Sequence, residues 1–226
     1  MKVKALPSCA RCPVPVDRRA CRIDGGAGPE GCPTMDRDLV EWVRQRYGEP
    51  ALREFAKQAS IQEGEGYCGR GEDVHSPRPC KPRVMEVAEF AVKMGYRRLG
   101  LVFCVGLQRE AGKVASFLEG RGFEVVSVVC KAGMVPKEEL GVPDDMKIRP
   151  GHPEAMCNPI LQAEALNRAG TQFNIVMGLC VGHDSLFLGH SKAPCTVLVV
   201  KDRPTGHNPL AAINTLHSYY RYLEED

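Results

Sequence analysis

Eleven of the 226 residues are cysteine, and the spacing of eight of them defines the chemistry this chain could do. The first four read Cys-x2-Cys-x8-Cys-x10-Cys: Cys9, Cys12, Cys21 and Cys32. Two residues between the first pair let both sulfurs reach one ion or cluster from a single turn. Cys12 and Cys32 are each followed by proline, the junction that often ends ferredoxin-type ligand runs. Structural zinc sites tend to use two Cys-x2-Cys knuckles, and this stretch has one. The expected cofactor is therefore a [4Fe-4S] cluster, with zinc as the alternative.

A second set is spread along the chain. Cys104, Cys130 and Cys180 each end an apolar run that reads as a parallel strand, and Cys157 stands directly before Asn158, the cap of a predicted helix. Any one of them reads as a small buried hydrophobe. Taken together they converge on the crevice outside the carboxyl ends of the strands, where open α/β sheets bind ligands. This predicts a second cluster. Cys-Val-Gly occurs twice, at residues 104–106 and 180–182, and a glycine just past a ligand lets backbone N–H groups approach sulfur or an anion. At a helix N-terminus Cys157 gains from the positive end of the dipole, which favours the thiolate a metal needs. If only three of the four bind, one iron stays open as a Lewis acid or a holder of sulfur, with His183 and Asp184 managing protons.

Lys201, Asp202, His207 and Asn208 lie at the same edge and are the expected substrate binders, although Asn208 before Pro209 equally reads as a helix cap, as does Asp184. A cluster-free thiol enzyme, with Cys157 or Cys180 as nucleophile and His183 as base, is a further reading. Cys68, Cys80 and Cys195 receive no role. A zinc clip of Cys68, His75 and Cys80 matches no spacing that can be justified. The glycine-rich stretch 25–31 is no nucleotide fingerprint, because no strand precedes it.

The elements that must position these residues can be read from periodicity. Residues 1–34 hold too few large apolar side chains for a core, so something other than burial must order them. Residues 35–81 read as two helices and a loop. Thr34 or Asp36 caps the first helix, which should bury Leu39, Val40, Val43 and Tyr47; the second opens at Pro50 and should bury Leu52, Phe55, Ala56 and Ala59. Residues 63–81 form the loop and the domain boundary. From 82 to 226 helices alternate with solid apolar strands: a helix at 82–94, a strand at 99–103, a helix from 107, and a strand at 123–129. A helix framed by Asn158, Pro159 and Gly170 follows, then strands at 172–179 and 195–200 and a last helix near 208. This is an α/β, Rossmann-like parallel sheet of at least four strands with helices on both faces, joined to a small N-terminal cysteine-rich metal-binding region. Residues 131–156 lack periodicity and read as a lid.

Thirty basic residues face 28 acidic ones, with 13 and 12 of them in residues 1–80, so no nucleic-acid or anionic-membrane partner is expected. No apolar run approaches the roughly 18 residues of a membrane helix, and the N-terminus does not read as a signal peptide. A cytoplasmic protein is expected, its thiols reduced. The expected partners are a small-molecule substrate and an electron-transfer protein.

The segments 101–107, 156–160, 178–185 and 201–209 together resemble an uncharacterised, domain-of-unknown-function family of anaerobic archaea and bacteria. That family is described as metal-binding for N-terminal cysteines like Cys9, Cys12, Cys21 and Cys32. The resemblance covers nearly the whole chain. It implies metal binding and gives no reaction, and Cys68, Cys80 and Cys195 lie outside the pattern.

Overall fold

The computed structural model describes residues 5–71 and 75–224. By its internal contacts the chain forms two units, Met1–Ile61 and Gln62–Asp226. The first contains α1 (Arg37–Arg46) and the start of α2 (Pro50–Glu65). Asp36 caps α1, its carboxylate accepting from the Leu39 N–H at 3.1 Å. None of residues 5–61 is buried. The burial expected of α1 is thus corrected: Leu39 is 45% and Tyr47 50% exposed. Its apolar stripe exists, but the unit has no core for it to face. In α2, Leu52, Phe55 and Ala56 are half-buried, whereas Ala59 is exposed, and the helix runs on to Glu65.

The second unit opens on a short antiparallel hairpin, β1 (Tyr67–Cys68) with β2 (Arg78–Pro79). Pairing Cys68 with Arg78 brings Cys80 alongside, and Cys68 and Cys80 form a disulfide with a Cα–Cα distance of 5.8 Å. The expectation that these two stay reduced and without a role is corrected here, and the zinc clip falls with it, because each sulfur already bonds the other.

The body alternates as expected: α3 (Arg83–Lys93), β3 (Arg98–Phe103), α4 (Gln108–Glu119), β4 (Glu124–Val129), α5 (Pro159–Ala169), β5 (Phe173–Met177), α6 (His183–His190), β6 (Cys195–Val199) and α7 (Pro209–Ile213). The four strands β3 to β6 make one parallel sheet in the order β4-β3-β5-β6, an α/β fold. Successive strand side chains point to opposite faces. Val102 and Val176 meet Ala163, Leu166 and Phe187 from α5 and α6, while Phe173 on the other face meets Phe90 of α3 at 5.4 Å between ring centroids. α5 is framed as its sequence implies. The Asn158 side chain accepts from the Leu161 N–H at 3.1 Å, Pro159 follows, and Gly170 ends the helix in the left-handed conformation. No helix among the described residues is long and apolar enough to cross a membrane.

One glycine is required by close approach. Gly100 in β3 pairs with the fully buried Asn174 of β5, and a Cβ on it would stand 2.1 Å from Asn174 Oδ1 and 2.5 Å from Leu166 Cδ1. Asn174 cannot yield without breaking its bonds with Thr171 Oγ1 and Ser191 Oγ, both 2.8 Å. Gly100→Ala is therefore expected to cost about 1–3 kcal/mol, the usual range for overpacking a core. Urea unfolding should show a lower midpoint at an unchanged slope, and an unchanged midpoint would contradict this packing.

The strand order also locates the site. From β3 the chain turns one way to β4; from β4 it crosses back over β3 to β5 and continues to β6. The switch point lies between β3 and β5, at their carboxyl ends, where ligands bind in such sheets.

Candidate functional site

The ladder of the sheet continues one residue past the strands. The Cys104 N–H donates to Met177 O at 3.1 Å and the Cys130 N–H to Phe103 O at 2.9 Å, so the two cysteines are neighbours across β3 and β4. Cys157 is returned to them by the long segment between β4 and α5. That segment is stitched internally, where the sequence suggested a lid. Lys137 pairs with Glu154 at 2.6 Å, both largely shielded. Lys147, its side chain 4% exposed, holds Glu138, Asp144 and the His152 carbonyl. At the base, the Asn158 N–H donates to Cys130 O at 2.7 Å and Lys131 Nζ to the Ala155 carbonyl.

Cys104, Cys130, Cys157 and Cys180, with Leu179 and His183, line one cleft too tight to admit a water molecule. The electrostatics divide the thiols. Cys104 is held down to about 4, first by the Cys130 thiol bonding its sulfur, then by the Gly106 N–H and Lys201. Cys157 is lowered to about 6, again first by Cys130, with the charges of Lys131 and His183 helping against desolvation. Cys130 is pushed far up, because it is the proton donor to both neighbours and is buried. Its own sulfur accepts from the Val105 N–H at 3.3 Å. Cys180 stands apart from these bonds, its sulfur accepting from Arg203 Nη2 at 3.2 Å. His183 Nδ1 is buried with no hydrogen-bond partner among the described residues.

The remaining expected residues fall as follows. Asp184 is not among the residues lining the cleft, and its carboxylate accepts from the Ser185 N–H at 2.8 Å. Lys201 reaches Cys104. Asp202 and His207 close a tight loop: the Asp202 N–H donates to His207 Nδ1 at 3.1 Å and the His207 N–H to Asp202 O at 2.6 Å. His207 holds this turn at a φ of 72°, a conformation costly for a residue with a Cβ. Asn208 takes the N-cap position of α7, where its side chain makes no capping bond. Cys195 begins β6 at the opposite end of the sheet, packed against the core, and burial raises its thiol. Two cations were passed over in the sequence: Lys131, directly after Cys130, and Arg203, two residues past Lys201. Adjacency to a cysteine was the available signal for the first, and a basic pair following the last strand for the second.

In the N-terminal unit Cys9, Cys12, Cys21 and Cys32 line a cavity of about 90 Å³. Few bonds shape it. Arg19 donates to Val14 O at 2.9 Å and Cys12 O at 3.2 Å, and the Ala20 N–H donates to Ala27 O at 2.9 Å. A Cβ on Gly28 would stand 2.7 Å from Cys32 Sγ, so glycine is what admits that sulfur. Among the described residues, no group of three or more His, Cys, Asp or Glu is set to hold a single metal ion.

Comparison with known proteins places this arrangement among others of undetermined role. The chain is 47% identical over 144 residues to an uncharacterized protein of Methanocaldococcus jannaschii, an alignment covering 64% of this chain and 72% of that one. A family model described as a protein of unknown function, DUF1847, matches residues 32–198, a span that includes all four cysteines of the cleft and begins at Cys32. The chain belongs to the DUF1847 family.

Proposed function

We propose that this is a cytoplasmic iron–sulfur protein with two centres that carries out redox or sulfur-transfer chemistry on a small molecule. One centre is held by Cys9, Cys12, Cys21 and Cys32. The other is held at the carboxyl edge of a Rossmann-like sheet by the set Cys104, Cys130, Cys157 and Cys180. The observation that carries the reading is convergence: four cysteines from four separate stretches line one cleft at the switch point of the sheet.

The donor sets fit such groups in chemistry, being thiols throughout. At the N-terminus the fit extends to space, since the four cysteines line a cavity several times the size of a water. A unit with no buried residue among those described also needs a staple, which a metal supplies in small folds. At the sheet edge the support is electrostatic. Lys201, Arg203 and the Val105 and Gly106 N–H groups all aim positive ends at sulfur. Such donors offset the charge of several thiolates and tune the potential of clusters.

A bound cluster supplies one-electron redox chemistry or, with one iron open, a Lewis acid. The chain's own groups do the rest. His183 lines the cleft, its Nδ1 is buried without a hydrogen-bond partner among the described residues, and it is the group proposed to handle protons there. The 202–207 turn fixes Lys201 and Arg203 against the sulfurs. An electron-transfer partner completes the redox form of the proposal.

The test is protein prepared without air. Iron and acid-labile sulfide in comparable amounts, with a broad band near ~400 nm, are expected. Colourless protein carrying zinc would replace this reading with that of a zinc-stabilised ligand-binding or sensor protein.

A further inference from the structure

The parallel sheet has two edges, and they are finished differently. At β6 the Arg83 guanidinium of α3 donates to Val197 O at 2.7 Å and to Thr196 Oγ1 at 2.9 Å, and the register with β5 is broken between Val176 and Met177. A cation laid on the edge and an irregular register are both devices that stop a strand from pairing further. β4, at the other edge, has neither. Its residues Glu124–Val129 include no lysine, arginine or proline, and Glu124, their one charge, is held by Arg98 at 2.8 Å.

The ladder shows which backbone groups of β4 face outward. The Glu124 N–H donates to Arg97 O and the Cys130 N–H to Phe103 O, both at 2.9 Å, so the even-numbered residues pair with β3. Residues 125, 127 and 129 therefore turn their N–H and C=O groups away from β3, because successive peptide groups point to opposite sides of a strand. Among the described residues only the Val129 carbonyl of this row finds a partner, the Ala132 N–H at 3.2 Å, and its second lone pair stays open. The side chains are equally incomplete. Val125, Val126, Val128 and Val129 are half-buried and Ser127 is exposed, whereas Leu99, Leu101 and Val102 of β3 are fully buried.

We infer that β4 pairs with the β4 of a second copy of this chain, antiparallel, about a two-fold axis through Ser127. The occupant follows from the strand itself. Val125-Val126-Ser127-Val128-Val129 reads the same in both directions, and a two-fold interface sets residue i of one copy against residue j of the other, and j against i. About Ser127, Val125 faces the second copy's Val129, and Ser127 faces its own counterpart. These are the outward residues, and opposed residues of this kind in antiparallel strands exchange both N–H···O bonds. Pairs at 125, 127 and 129 leave none of the outward groups open. Val126 and Val128 meet between them, so pairs of β-branched side chains line both faces of the junction. An axis between Ser127 and Val128 would instead set outward groups against inward ones and make no ladder. Running antiparallel, the two strands carry their Cys130 ends to opposite sides, roughly 20 Å apart at ~3.3 Å per residue. Each thiol cleft stays within one copy, and the pairing is independent of any metal there.

The test is the mass of the full chain in solution, followed by sedimentation up to ~100 μM, because a dimer's population depends on concentration. Wild type is expected to pass from monomer to dimer and to stop there, since a two-fold interface closes on itself. The Val125, Ser127 and Val129 amides should exchange hydrogen slowly in the dimer, a readout that needs no variant. Ser127→Lys sets like charges against each other across the axis and should weaken the dimer by about tenfold or more. Ser127→Pro removes the central donor at an edge position, where proline is otherwise tolerated, and should weaken it at least as much. Both should keep the circular dichroism and the metal content of wild type. A chain that stays monomeric throughout would overturn the inference. So would a dimer that both variants leave intact, or one whose three amides exchange as fast as in the monomer, because another surface would then hold it. Species growing beyond the dimer would overturn the two-fold pairing.

Discussion

A protein carrying Cys9→Ala and Cys12→Ala together loses the metal of its N-terminal centre and keeps its parallel sheet. The effect is expected to be large in one unit and absent in the other. Residues 5–61 have no buried side chain, so on the proposed reading the thiol site supplies much of the energy that orders their first turns. Structural zinc sites in small peptides contribute about 10–16 kcal/mol of apparent binding energy, which shows how large a metal's share in ordering a coreless segment can be. The sheet draws on a separate reservoir, the fully buried Leu99, Leu101, Val102, Leu166 and Ile175. Metal analysis of the double variant should show the N-terminal share gone. Hydrogen exchange should quicken across 5–34, and circular dichroism of the α/β unit should persist. Unchanged metal content would remove this centre from the account.

How far such a site could be read in advance depends on whether the deciding interactions are local. The strand at 98–103 and α5 between Asn158 and Gly170 follow from runs of apolar residues and from caps a few positions apart, so their limits were legible to within a residue or two. The arrival of Cys104, Cys130 and Cys180 at one edge follows from the same logic, because each directly follows or lies just past a parallel strand. Less legible features rest on pairings between distant positions. The amphipathic pattern of α1 is real, yet pattern alone does not supply a partner surface, and Trp42 in that helix is 60% exposed. The Cys68–Cys80 bond depends on the hairpin register of Tyr67 with Pro79, which two-residue strands barely announce.

The excursion from 131 to 156 is organised by charge, through Lys137 with Glu154 and Lys147 with Asp144, and ion pairs leave no periodicity to read. The same holds for the loop after β6. His207 and Asp202 are expected at the substrate edge, and their hydrogen bonds to one another close the turn that carries Lys201 and Arg203, a pairing five residues apart that no periodicity announces.

Whether the cleft at the sheet edge is a metal–thiolate centre, as proposed, turns on Cys157. Its sulfur is drawn toward the thiolate form by Cys130 and by the Lys131 and His183 charges, just ahead of the N-terminus of α5. If the cleft holds a cluster, Cys157→Ala removes one of its ligands. If Cys157 is only a half-buried thiol, the same change costs about 1–2 kcal/mol of stability and touches no metal. The deciding measurement is iron per chain in folded, anaerobically prepared Cys157→Ala, read beside the absorbance near ~400 nm. Loss of the inner share of both with the N-terminal share retained is expected; full iron and full absorbance would show that the cleft holds no metal.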